Sequence, residues 1–352
     1  MKMRNSGIEL ARIILIICTL FMHYNNSAYA FVSSSSAKYY WLLLCSSFSC
    51  GCVNYFVMVS GLYLSSNNER KLIKVVEIVL QAVLFNICFY LGSIMLGQNS
   101  FTLNGFASRM IPKNWFIVLY SCLYVISPYI NLLTNRLSDR EFKKLIVIVF
   151  FLFSVLSYLN DLLVMVMGSA FLSINPIGYS GSQAGCGIVN FVLLYLIGSF
   201  IARDTIKIRK RVLISALITD VIIMFTISLL LNEGNLLVAW ENNSPFNIVF
   251  VAIVILLLKD CSFKNGTINE LSKATFTFYL FHSNFMTYIG IEWAARLPLP
   301  VMIAHELTSG MALFLISYFV YRVYNICTAG LIRWLSPLCN KIDLSLNKEL
   351  GR

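Results

Sequence analysis

Arg12 and His23 stand eleven positions apart in one apolar run, "ARIILIICTLFMHY". Histidine is the side chain best suited to general-base work near neutral pH. A neutral imidazole can take the proton of a hydroxyl as that hydroxyl attacks an acyl carbon. An imidazole can also carry the acyl group itself as a covalent intermediate, and the residues leave both routes open. Arginine is always charged, and its planar fork suits a phosphate or pyrophosphate. On an α-helix, eleven residues turn through about 1100°, about 20° past three full turns, and rise about 16 Å. The two side chains therefore share one face, one toward each end of the run. Glu9 lies three residues before Arg12 and can pair with it. Singly, each residue has a plainer explanation: Arg12 snorkels to an interface, and His23 lies among headgroups. Together on one stripe they point to a bundle interior or a wet cavity, where intramembrane charge is usually functional.

The elements that must position this pair are membrane helices. The chain has 352 residues, 58% hydrophobic and 12% charged, where a soluble domain carries roughly 25% charged residues. Apolar runs of about 20 residues recur from end to end, and the alternation of a membrane β-barrel is absent. The expected fold is an all-α polytopic bundle of about ten transmembrane helices. The spans are expected near 8–25, 40–64, 72–96, 115–134, 145–167, 186–202, 212–231, 246–258, 271–291 and 301–324. The first is too long for a cleavable signal, and "SAYAF" after it is a poor cleavage site. Residues 1–325 are read as the membrane domain. Residues 326–352 are read as a cytoplasmic tail, because Leu331, Trp334, Leu335, Leu338 and Ile342 recur at helical spacing and suit an amphipathic surface helix.

Charge supports this layout. With the N-terminus inside, only Lys38, Arg109, Lys113 and Arg296 of the 27 basic residues fall in outside segments. That asymmetry follows the positive-inside rule and places both termini in the cytoplasm. The net charge of +11 is then topology and gives no reason to expect nucleic acid. The ten cysteines lie mostly in apolar runs without a C-x-x-C pair, and small packing residues explain them better than metal or redox chemistry. No metal is expected.

Other polar residues have a functional and a plain reading. Arg70, Lys71 and Lys74 form a basic run on the inner side that could meet phosphates. His282 falls at mid-depth of the ninth span, where a hydrogen-bonded structural histidine is the commoner case. His305 and Glu306 open the tenth span on the outer side, where they could meet an acceptor or simply sit at the interface. Asp220 lies deep in the seventh span and is costly unless paired; it could support the pore or relay protons, a structural ion pair is the plain reading, and it is counted with Glu9 as structural support. Asn54 and Asn190 suit interhelical hydrogen bonds; Asn160 and Asp161 could line the outer side. Trp115, Trp240 and Trp293 fit an aromatic belt, with stacking on a sugar as the sharper reading.

Four stretches carry a family resemblance: "IELARIILIICTLFMHY"; "VNYFVMVSGLYL" with Phe56, Ser60 and Gly61; "NWFIVLYSCLYVISPYIN" with Trp115, Phe116, Tyr120, Ser127 and Pro128; and "FTFYLFHSNFM" with Tyr279, Leu280 and His282. In this order they resemble the acyltransferase-3 family of bacterial integral-membrane O-acyltransferases. The resemblance implies ten helices in the bacterial cytoplasmic membrane. It also implies transfer of an acyl group, usually acetyl, from cytoplasmic acyl-CoA to a hydroxyl of a surface polysaccharide or its lipid-linked precursor. It makes His23 the catalytic histidine and Arg12 its essential companion. Some members carry a further hydrolase-like domain after the helices. This sequence ends soon after span ten, so a separate extracytoplasmic partner, or a homo-oligomer, enters the expectation. In the mechanism that follows, Arg12, Arg70, Lys71 and Lys74 hold the nucleotide end of acetyl-CoA, and the thin arm runs to His23. The competing class is a transporter or flippase for a lipid-linked glycan. It would not need the Arg12–His23 pattern, and helices interrupted at mid-span would be expected. A membrane sensor or scaffold has no positive feature in its favour.

Overall fold

A computed structural model describes residues 5–66, 69–167, 175–178, 181–231 and 238–349. Every regular element among them is helical. In chain order these are α1 (Ser6–Ala28), α2 (Ala37–Ser49), α3 (Cys52–Leu64), α4 (Leu72–Met95), α5 (Leu103–Arg109), α6 (Trp115–Asn135), α7 (Asp139–Phe150) and α8 (Ser157–Met167). They continue as α9 (Ile188–Ala202), α10 (Lys210–Leu230), α11 (Pro245–Leu258), α12 (Gly266–Leu271), α13 (Thr275–Phe285), α14 (Ile291–Arg296) and α15 (Leu299–Glu349).

Among the described residues, eight helical runs are long and apolar enough to cross a membrane, which marks a multi-pass membrane protein. They include α1, α4, α6, α10 and four composite or extended runs: Ala37–Leu64, Asp139–Met167, Val238–Leu258 and Leu299–Leu344. Two expected spans differ from that standard. The sixth is the 15-residue α9, about 22 Å long against a hydrocarbon core of about 30 Å. The ninth is a chain of short pieces, α12, a 3-10 turn at Ser272–Ala274, α13 and another at Met286–Tyr288. The expected division at 325/326 falls within α15, which runs on without a break and tolerates Pro337. Leu331, Trp334, Leu338 and Ile342 are exposed along it.

Contacts group the chain into two units. The first comprises residues 1–63 and 137–321, the second residues 64–136 and 322–352. In the first, Asn5 caps α1 by accepting from the Gly7 and Ile8 amides at 2.9 and 3.3 Å. Its own amide donates to the Leu258 and Lys259 carbonyls at 3.0 and 2.8 Å, so one residue starts α1 and satisfies the orphan carbonyls that end α11. Helices α3 and α9 meet through glycine. A Cβ on Gly198 would lie 1.9 Å from the Met58 carbonyl oxygen, and one on Gly61 would lie 2.2 Å from the Tyr195 carbonyl oxygen. Small residues allow that backbone approach, which is what holds helices together where lipid is as apolar as leucine. The end of α1 packs in a cluster of Tyr24, Ala28, Leu42, Ile291, Ala294, Ala295 and Met302. A π-helical turn at Phe151–Leu156 joins α7 to α8. In the second unit, the Leu72 amide at the start of α4 donates to the Asp343 carboxylate at 3.0 Å, and Phe85 meets Tyr324 edge-on.

Candidate active site on the first helix

Helix α1 is unbroken from Ser6 to Ala28, so Arg12 and His23 do lie on one helix with the spacing read above. The Arg12 guanidinium donates from Nη1 to Glu9 Oε2 at 3.0 Å, and the Glu9 side chain is 3% exposed against 26% for Arg12. The guanidinium also lies over the Phe56 ring, 5.2 Å from its centroid. Nε is buried without a hydrogen-bond partner. The expected i,i+3 pair is therefore present, and it leaves part of a desolvated guanidinium unused. An anion is the natural partner for such a group.

At the other end of the stripe, the His23 and His282 rings lie 5.0 Å apart, tilted by 41°. His23 is exposed, and its ring makes no hydrogen bond among the described residues. His282 is 4% exposed and stacks on Phe278 at 6.0 Å and 4°. Its Nδ1 lies 2.7 Å from the Tyr279 carbonyl oxygen. A carbonyl only accepts, so Nδ1 carries the hydrogen, and in the neutral ring Nε2 holds the free lone pair. The site thus contains one fixed imidazole of defined tautomer beside one imidazole free of internal partners. That arrangement suits a base and a neighbour that orients it. The short pieces around α13 bring His282 to α1, since α13 packs directly on that helix.

Two further expected residues flank the same part of α1. His305 Nδ1 is 3.0 Å from the Tyr24 hydroxyl, and its ring meets Trp293 edge-on at 5.8 Å. Glu306 is 1% exposed and accepts from Trp41 Nε1 and Cys45 Sγ, each at 3.3 Å. Both residues are tied into the packing of α1, α2 and α15. Tyr24, Trp41 and Cys45 were not singled out from sequence. Only the adjacency of Tyr24 to His23 gave a signal; the other two look like ordinary span residues.

The basic run lies in the second unit. Arg70 Nε donates to Ser127 Oγ at 2.7 Å, Nη1 to the Glu69 carbonyl at 2.9 Å and Nη2 to the Leu64 carbonyl at 3.2 Å. It also lies over Tyr124. Lys74 pairs with Glu77 at 2.8 Å, and the Lys71 backbone amide donates to the Tyr124 hydroxyl at 3.3 Å. Trp115 is exposed and meets Phe116 edge-on. In the first unit, Asp220 is buried on α10 with Oδ2 unpartnered, and no ion pair to it exists among the described residues. Asn54 and Asn190 both donate to the Asn242 carbonyl, at 2.8 and 3.2 Å; Asn242 lies in the turn before α11, so these bonds run from helix to turn where bonds between helices were expected. No group of three or more His, Cys, Asp or Glu side chains could hold a metal among the described residues.

Compared with known families, residues 5–323 match the model of the acyltransferase domain of the acyltransferase-3 family. No curated protein and no solved structure matches the chain.

Proposed function

The chain belongs to the acyltransferase-3 family, and from that premise we propose that this membrane acyltransferase moves an acetyl group from cytoplasmic acetyl-CoA to a hydroxyl of an extracytoplasmic glycan. The observation that carries the reading is the His23–His282 pair, 5.0 Å apart on the stripe that begins at Arg12. Arg12 binds the anionic end of the donor through the guanidinium edge that Glu9 leaves unused. The pantetheine arm spans the distance of about 16 Å to His23. There His23 removes the proton of the acceptor hydroxyl as the C–O bond forms at the thioester carbon. The C–S bond then breaks, and the imidazolium returns the proton to the departing thiolate. A two-step route through acyl-His23 balances equally. His282, its Nδ1–H held by Tyr279, orients the His23 ring in either case.

In this reading the chain crosses the bacterial cytoplasmic membrane ten times, with α9 and the interrupted run from α12 to Tyr288 counted as crossings. Both termini lie on the cytoplasmic side, as the distribution of basic residues favours. Arg70, already bonded to Ser127 and two carbonyls, is architectural, while Lys71 and Lys74 add positive potential on the donor side. His305, Glu306 and the Trp115 region serve the acceptor side, and a homo-oligomer or a separate extracytoplasmic partner completes acceptor delivery. Mass spectrometry of the surface glycan from cells with and without this protein tests the reading. Loss of a 42 Da acetyl increment without it is expected; an unchanged glycan would refute it.

A further inference from the structure

The outer end of α1 carries a second imidazole contact that proton transfer at His23 does not use. Tyr24, the next residue on α1, is wholly buried, and its hydroxyl lies 3.0 Å from His305 Nδ1. A buried hydroxyl needs an acceptor for its hydrogen, and Nδ1 is the one within reach among the described residues. Tyr24 therefore donates, Nδ1 accepts, and the neutral His305 ring carries its hydrogen on Nε2. This is the opposite tautomer to that of His282, whose Nδ1 faces a carbonyl. His305 is half-buried, and its Nε2–H has no hydrogen-bond partner among the described residues. Against it stands Trp293, 60% exposed, with ring centroids 5.8 Å apart and planes at 71°. The indole N–H is also without a partner among the described residues. Helix α14 is a firm platform for this ring. Ile291, Ala294 and Ala295 pack in the cluster with Tyr24 and Ala28, and Lys38 Nζ donates to the Ala295 and Leu297 carbonyls at 2.6 and 3.2 Å. Trp293 points away from that cluster and is flanked along the helix by Glu292 and Arg296, an exposed ion pair at 2.5 Å.

An indole offers a broad apolar face and one polar edge. A sugar ring offers the counterpart, a C–H face to stack and oxygens at its rim. A tryptophan that only anchors the protein in lipid needs neither a fixed N–H donor against it nor a charged pair beside it. We propose that Trp293 and His305 form the subsite for one sugar ring of the acceptor. The ring stacks on the indole, and one of its oxygens accepts from His305 Nε2–H. Tyr24 is the positioning residue that keeps that hydrogen on Nε2. A few fixed polar groups around an apolar contact are what orient a small ligand. Because Tyr24 follows His23 on α1, the subsite is anchored one residue along the helix from the proposed base. The assignment rests on the acyl-transfer reading for the nature of the acceptor, a glycan.

The test uses the purified full chain, radiolabelled acetyl-CoA and extracted envelope glycan. Trp293→Leu, which keeps an apolar side chain for lipid but no ring to stack on, should raise KM for the glycan about tenfold. It should leave kcat and KM for acetyl-CoA unchanged. His305→Ala should raise KM for the glycan about fivefold, and His305→Gln, which keeps an N–H near the Nε2 position, should restore most of it. Tyr24→Phe should weaken glycan binding in the wild-type background but not further in His305→Ala, a coupling that a merely structural tyrosine would not show. An unchanged KM for the glycan in Trp293→Leu overturns the subsite and leaves Trp293 to the lipid interface. A second readout does not need turnover: glycan is titrated onto His23→Ala while tryptophan fluorescence is followed. A saturable change should appear and should vanish when Trp293→Phe is added. If the wild type transfers no label, the acyl-transfer reading fails and this titration alone decides the subsite. The absence of a saturable change, or one that survives Trp293→Phe, overturns it.

Discussion

Arg12 has one nitrogen on Glu9 and a buried Nε without a partner. If that edge binds donor phosphate, Arg12→Ala should raise KM for acetyl-CoA by about tenfold or more, since a charge-assisted hydrogen bond is worth roughly 1.5–3 kcal/mol. Arg12→Lys should recover only part of this, because a point charge cannot reproduce the fork. Titration of CoA binding on purified protein checks both. The test of His282 is different in kind. As an orienting group it should act on kcat and leave KM for the donor in place. His282→Gln, which keeps a polar atom near the Nε2 position, should retain more activity than His282→Ala. The expected loss for alanine is on the order of tenfold, equivalent to roughly 1.4 kcal/mol. A shift in the pH dependence of kcat should accompany it, which a purely structural residue would not produce. Arg12, Glu9 and His23 were legible in the sequence because the period of a single helix relates them. His282 was visible as a residue but not as the neighbour of His23. Their proximity is made by tertiary packing over more than two hundred positions. Asp220 was expected to find a charged partner, and none is present among the described residues.

Among the elements, the contact of α3 with α9 is the most sharply constrained. A Cβ on Gly198 would sit 1.9 Å from the Met58 carbonyl oxygen, and backbone cannot move aside as a side chain can. Gly198→Leu should therefore destabilise the protein by on the order of 3 kcal/mol or more and lower Tm, while Gly92→Leu, where a Cβ meets nothing within 4 Å, should not. A melting curve of each variant decides this. The long apolar runs were readable because lipid demands helices of fixed length. The interruptions were not. The break between α2 and α3 at Cys50 and Gly51 packs closely on α11, where a Cβ on Gly51 would lie 2.9 Å from the Val251 side chain. The continuity of α15 across 325/326 was not legible for a related reason: an apolar span and an amphipathic segment can continue as one helix when no residue stops it between them.

Over the whole molecule, charge is the organising quantity. In the proposed topology the basic residues collect in segments of one side, and Asp204, in the loop between α9 and α10, shows how one basic segment is held. Hydrogen bonds from Lys207 (2.6 Å) and Lys259 pull its carboxyl from an ordinary 3.8 to about 2. A group lowered in this way stabilises the fold above its ordinary value, and the effect is lost as pH falls toward about 2. Asp204→Asn should lower Tm at pH 7, and the difference from wild type should shrink between about pH 4 and 2. Added salt should shrink it as well, because the carboxylate is exposed. The central claim at this scale is transfer across the membrane from an inner donor to an outer acceptor, and it rests on His23. The most direct measurement is label transfer from radiolabelled acetyl-CoA to extracted envelope glycan by the purified protein. Wild type should transfer label, and His23→Ala should be slower by about 10²-fold or more while still binding CoA. Near-normal transfer by His23→Ala, or glycan translocation by the wild type without any transfer, would contradict the account.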